Sequence, residues 1–273
     1  MSGELLYGLN QWFVFLVTVG LLYLSAEVGF RYGRRFSALV DSESHGHVAT
    51  IESALLGLLA LLLGFAFAMA MTRFDARKQV VLEETDDIET TFLRAQLLPE
   101  KHRDECSRLL RQYVDSRLAH YKAGADREKT NAALNWTKEL QFRLWAEAVA
   151  AAQEDSDEVK TGYFIESLNG LIDDHTKRIT AMENHVPEFI LVLLFVVATM
   201  TIAVTGYSSG LRHARLRTLR FILVFLVAAT LLVIVDLDRP RRGLIQVSES
   251  GMQQLREELD QFAAALGRKP DVP

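Results

Sequence analysis

Apolar and polar positions in this chain are segregated on a scale much longer than a helical turn. Four stretches, Trp12 to Phe30, Ile51 to Thr72, Phe189 to Gly206 and Phe221 to Val235, are almost wholly apolar. A helix needs about 20 such residues to cross a hydrocarbon core about 30 Å thick at about 1.5 Å of rise per residue. The last stretch is the shortest, and Thr218 to Asp236 can be recruited by tilting or snorkelling. Four such stretches, each flanked by arginine or acid, predict an all-α integral membrane protein. It has four transmembrane helices and a helical bundle domain inserted between helices 2 and 3.

The polar segment from Arg73 onward is rich in Glu, Arg, Ala and Leu and poor in strand formers. Phe74, Val81, Ile88 and Ala95 recur every seventh residue, with Phe92 one turn from Ile88, so the second apolar stretch continues beyond the membrane as a helix with one apolar stripe. Such a stripe requires a packing partner. Pro99 ends this helix, and "EKHRDECSRLLRQYVDSRLAHYKAG" forms the next, with Leu109, Tyr113, Leu118 and Tyr121 on one face and Gly124 as its stop. A third helix runs from Asp126 to about Gln153, and "EDSDE" with a cap-like Ser156 breaks the pattern. A fourth ends near Asn184, before Pro187 opens the third span. After "DLDRPRRG" an amphipathic helix runs from about Val247 to Leu266, with Met252, Leu255, Leu259 and Phe262 on one side. The expected divisions are residues 1–72 for transmembrane helices 1 and 2, 73–187 for the bundle, 188–238 for helices 3 and 4, and 239–273 for the tail.

Composition narrows the function classes. The net charge of -5, with no block of lysine and arginine, gives no reason to expect nucleic acid. Cys106 is the only cysteine, which excludes an intramolecular disulfide and a thiolate cluster. The first span is preceded by "MSGELLYGLNQ", which lacks the positive n-region of a secretory signal, so the span is expected to be retained. No HExxH, GxSxG, phosphate-loop or dinucleotide fingerprint is present, no cofactor is implied, and the chain does not read as an enzyme.

Candidate chemistry concentrates around the second span. Gly57, Ala60, Gly64, Ala68 and Ala70 permit close helix approach, while Leu61, Phe65, Phe67 and Met69 suit either ordinary packing or a hydrophobic constriction that gates by dewetting. "RFDAR" places Arg73, Asp75 and Arg77 at the membrane edge, as snorkelling anchors or as a charged ring at the mouth of a vestibule. Glu83, Glu84, Asp86, Asp87 and Glu89 read as a solvated face or as rings that concentrate cations. Asp236 and Asp238 oppose the dipole at a helix C-terminus, which calls for local partners, and Pro240 enforces the exit of the chain, with Gly243 in the same turn. Glu27 lies inside an apolar stretch with Arg31 one turn on, an arrangement suited to function or to a snorkelling ion pair. His45 and His47, read as loop residues, lack a third metal ligand. His175 beside Asp173 and Asp174, and His185 beside Glu183, have no nucleophile motif near them.

The run "LLGLLALLLGF" (Leu55 to Phe65), "RFDAR" (Arg73 to Arg77) and "DLDRPRRG" (Asp236 to Gly243) resembles bestrophins, and more closely the bacterial family called bestrophin-like. The order and spacing of the four spans agree with that resemblance. It implies a homo-oligomer, a pentamer, in a bacterial inner membrane, whose second-span helices surround an ion pathway and continue into a cytosolic helical vestibule. Leu61, Phe65 and Met69 are then the pore-lining candidates. Two departures stand out: "FAFAMAM" replaces a more polar run, and the acidic calcium clasp of animal bestrophins has no counterpart in "RPRRGLIQVSES". The short loops carry "RYGRR" and "RHARLR", and the positive-inside rule taken alone puts those loops, not the bundle, in the cytoplasm. Two readings remain: an oligomeric channel or channel-like protein, and a membrane-anchored helical scaffold or sensor that conducts nothing. A transporter is third, since no broken span or repeat pair is visible.

Overall fold

The computed structural model describes residues 11–38, 42–124, 126–154, 158–213, 217–239, 243 and 245–265. Among the described residues every regular element is a helix: α1 (Gln11–Phe36), α2 (Ser42–Ala95), α3 (Glu100–Ala123), α4 (Arg127–Glu154), α5 (Glu158–Glu183), α6 (Glu188–Leu211), α7 (Arg217–Leu237) and α8 (Ser250–Ala265). Four helical segments are long and apolar enough to cross a membrane: Gln11–Phe36, His45–Ala95, Glu158–Leu211 and Arg217–Leu237. Expected features at Ser156, Arg215, Pro240, Arg241, Arg242 and Leu266 fall outside the described residues.

The caps follow from sequence. Asp126 Oδ1 accepts the N–H groups of Glu128 and Lys129 at 3.1 and 3.2 Å, which satisfies two of the donors that a helix start leaves unpaired. Gly124 has φ of 53°, a left-handed value that an L side chain rarely adopts, and this ends α3. The start of α2 differs from expectation. The helix begins at Ser42, so His45 and His47 lie within its first turns rather than on a loop. No proline occurs between Ser42 and Leu98, and nothing else there stops helical propagation.

The chain divides into two compact units. The first comprises Met1–Phe74 and His185–Ile245, and the second Asp75–Asn184 and Gln246–Pro273. The first unit's core joins Leu22 and Ala26 of α1, Leu59 and Ala66 of α2, Leu194 and Ile202 of α6, and Val224 and Leu231 of α7. Within it, α1 and α6 touch backbone to backbone. A Cβ added at Gly29 or Gly33 would lie 2.0 or 2.1 Å from the carbonyl oxygens of Ala203 and Tyr207. One added at Gly206 would lie 2.1 Å from that of Ala26. Lipid gives two apolar helices no hydrophobic reason to associate, so this close packing takes over that task.

The second unit's core is built from the polar half of α2. Ile88, Phe92 and Ala95 pack with Leu110 and Tyr113 of α3, Leu144 of α4, Phe164 and Leu168 of α5, and Met252 and Leu255 of α8. Phe92 meets Phe262 edge to face, with ring centroids 5.4 Å apart. Val81 is buried as well, while Phe74 packs with the first unit's core. On α3, Leu109 and Tyr113 are fully buried but Tyr121 is 37% exposed, because the inward face passes through Arg117 and His120 instead.

Candidate functional site

In the first unit the apolar half of α2 has one covered and one open side. Leu59, Ala66 and Ala70 face the core, whereas Leu61 and Phe65, one turn apart, are 54% and 62% exposed. Gly57 and Gly64 border open space on the same helix. Met69 is half-buried and packs against the unit's own core, so it does not share the openness of Leu61 and Phe65. Arg73 is half-buried.

The acid-bearing turn after α7 is closed by backbone groups. Asp238 is fully buried, and its Oδ1 accepts the Val186 N–H at 2.9 Å, while its carbonyl oxygen lies 3.0 Å from His185 Nδ1. Asp236 is buried too, with Oδ2 accepting the Ile245 N–H at 3.0 Å. A side chain at Gly243 would press against the Asp236 carbonyl oxygen at 2.9 Å, which is why the smallest residue stands there. These carboxylates satisfy buried N–H donors and fix the path of the chain. Glu27 pairs with Arg31 at 3.1 Å, as its spacing suggests, and with Arg220 of α7 at 3.5 Å. The Arg220 guanidinium also lies over the Phe30 ring, 4.4 Å from its centre. This second partner was not foreseen, because sequence gives no rule for pairing Glu27 with a residue 193 positions away.

In the second unit Asp75 is exposed, but Arg77 is not. Arg77 is buried, and it donates from Nε to the Ala181 carbonyl at 3.2 Å and from Nη2 to that of Asn184 at 2.9 Å. A cation at the last carbonyls of α5 is favoured by the helix dipole.

Glu84 departs most from expectation. Read as part of a solvated acidic face, it is 0% exposed and lies at the centre of a charged cluster. Arg117 Nε of α3 is 2.8 Å from Glu84 Oε1, and Arg178 Nη1 of α5 donates to Oε2. The Tyr113 hydroxyl donates to Oε1 at 3.3 Å, and His175 Nδ1 is 3.8 Å away. Arg178 also donates through Nη2 to Glu249, just before α8. Four segments therefore converge on one buried set of two acids and two arginines. Burial pushes the Glu249 carboxyl above its ordinary value, against the pull of Arg178, and it raises the Tyr113 hydroxyl well above its own, with Glu84 adding to the effect. The signal for Glu84 was present: it is three residues from Val81 and four from Ile88, on the apolar stripe itself. Among the described residues no three His, Cys, Asp or Glu side chains converge to hold a metal.

A family model described as "Bestrophin-like domain" matches residues 20–252 of this chain. The chain belongs to the bestrophin-like family. No curated protein matches it. Among solved structures, this bestrophin-like chain is similar to a bacterial bestrophin homologue from Klebsiella pneumoniae. The two are 15% identical, with 96% of this chain and 100% of that one covered and a TM-score of 0.68. Two single-substitution variants of the Klebsiella protein align comparably. One is 13% identical over 91% and 98% of the chains with a TM-score of 0.68, and the other 14% over 97% and 100% with 0.67. At these identities the likeness is one of fold.

Proposed function

We propose that this bestrophin-like protein is an oligomeric ion channel of a bacterial inner membrane, with α2 lining the pathway. The observation that carries the reading is the open apolar side of α2, where Leu61 and Phe65 find no cover in their own chain. A lone helix in lipid has no need of glycines bordering open space, whereas a ring of copies uses them for close approach. Five copies, as the resemblance to bestrophins implies, would set Leu61 and Phe65 as rings that dewet and gate, with Met69 buttressing them. Arg73 and Asp75 form the charged mouth, while Arg77, Asp236, Asp238 and Gly243 hold the walls. Residues 73–187 form the bundle domain inserted between the second and third spans, residues 239–273 the tail, and the bundle is cytoplasmic. The partners are then other copies of the chain, the lipid bilayer and the conducted ions.

Purified protein in mild detergent is expected to give particles with rotational symmetry. Liposomes containing it are expected to leak ions, and Phe65→Ala to raise the flux about tenfold, equivalent to a barrier lower by about 1.4 kcal/mol. Absence of flux from both wild type and Phe65→Ala, with an axis sealed by side chains, would establish the scaffold reading instead. A reporter fused after Pro273 is expected to read as cytoplasmic, and an external signal overturns the sidedness.

A further inference from the structure

We propose that His102, Glu147 and Glu154 form a pH-sensitive clasp between α3 and α4, closed while the imidazole carries two protons and released as the pH rises. His102 is on the first turn of α3 and its side chain is buried. Its Nδ1 lies 2.8 Å from Glu147 Oε2 and its Nε2 2.8 Å from Glu154 Oε2. A carboxylate only accepts, so two such contacts from opposite edges of one ring require a proton on each nitrogen. Neutral imidazole carries a single N–H, and whichever edge lost its proton would turn a lone pair toward a carboxylate oxygen.

Glu147 and Glu154 are the charged groups that α4 presents to the ring. On α3 itself Lys101 adds positive charge near Glu154, and Glu105 is engaged by Arg108 and by Arg143 of α4. The charged residues of α8 that reach α3, Arg256 and Asp260, face Asp115 and Arg111 instead. On α2, Arg94 faces Glu166 of α5. The neighbouring Cys106 thiol is pushed up to about 12 by burial and by Glu147 and Glu105, and stays protonated throughout. Burial, the largest single influence, lowers the His102 value, but the hydrogen bonds and the negative charges of the two glutamates together outweigh it and leave the group above its ordinary 6.5. A raised value in the folded state stabilises fully below 6.5 and loses that contribution as pH climbs through the raised value. The clasp therefore loosens on the alkaline side.

The test is hydrogen–deuterium exchange on the full-length protein in detergent between about pH 6 and about pH 9, corrected for the intrinsic pH dependence of exchange. Protection of residues 103–106 and 147–154 is expected to fall about tenfold for each unit by which the histidine value is raised. His102→Gln, an amide that does not titrate, is expected to abolish that fall. Glu154→Gln, at a mostly solvent-exposed side chain, is expected to move it to lower pH, and it serves if the first variant fails to fold. Wild-type protection independent of pH, or a fall unchanged in whichever variant folds, overturns the clasp.

Discussion

Replacing Glu84 by glutamine is expected to cost the protein about 3–5 kcal/mol, the range found when one member of a buried ion pair is removed. The side chain keeps its shape but loses its charge, and Arg117 and Arg178 stay buried, with Arg117 0% exposed. Arg178 keeps Glu249, whereas Arg117 loses the only acid the structure places at ion-pair distance among the described residues. The damage falls on the second unit, where α2, α3, α5 and the start of α8 share the cluster. Thermal unfolding in detergent is expected to drop by on the order of 10 °C. Asp86→Asn, two positions along on the exposed side of α2, is the control and is expected to stay within about 0.5 kcal/mol of wild type. Equal melting of the two variants would remove the cluster from the account of stability.

The other large effect is expected at Gly206→Leu. A Cβ there would sit 2.1 Å from the Ala26 carbonyl oxygen, with the backbone of α1 as the obstacle rather than a side chain that can swing aside. The helices must separate along the whole seam of Gly29, Gly33, Gly206 and Gly210, since those contacts share one line of approach. Overpacking of this kind costs about 1–3 kcal/mol even where the surroundings yield, and here they are two main chains. The expected readout is loss of the monodisperse species in detergent and lower yield from the membrane. Gly20→Ala on α1 provides the contrast, because nothing lies within 4 Å of the added methyl, and the helix gains about 1 kcal/mol of intrinsic preference. Equal yield and dispersity for the two variants would show that the α1–α6 seam tolerates separation.

What could be read without the structure follows a physical division. Helices were legible because α2 repeats its apolar positions every seventh residue and because Pro99, Gly124 and Pro187 are local stop and start signals. The single stripe of Val81, Ile88 and Phe92 needed a partner, and the structure supplies it from α3, α5 and α8. The tail helix likewise shows its face in sequence, and Met252, Leu255 and Leu259 are buried as their spacing requires. Polar partnerships were not legible. Acids on a helix are usually solvated, and only position on the stripe separates Glu84 from Glu83 and Asp86. Arg220 and Glu154 are joined to their partners by tertiary contact alone, across 193 and 52 positions. At the candidate site, Leu61 and Phe65 could be chosen as large apolar residues one turn apart, but the inward lean of Met69 depends on what packs beside it. The histidines at 45 and 47 were misread because glycine between them suggests a loop, whereas one glycine costs a long helix only about 1 kcal/mol.

The unbroken course of α2 also bears on how this gene can change. One residue inserted between Glu84 and Ile88 turns everything after it by about 100°. Ile88, Phe92 and Ala95 then no longer share one side of the helix with Val81 and Glu84, and the second unit's interior cannot take both sets. An insertion of seven returns the pattern to within about 20°. Surface loops in a family drift in length by single residues. This helix can be inherited longer or shorter only in steps of about two turns, so its length should vary across relatives in a quantised way.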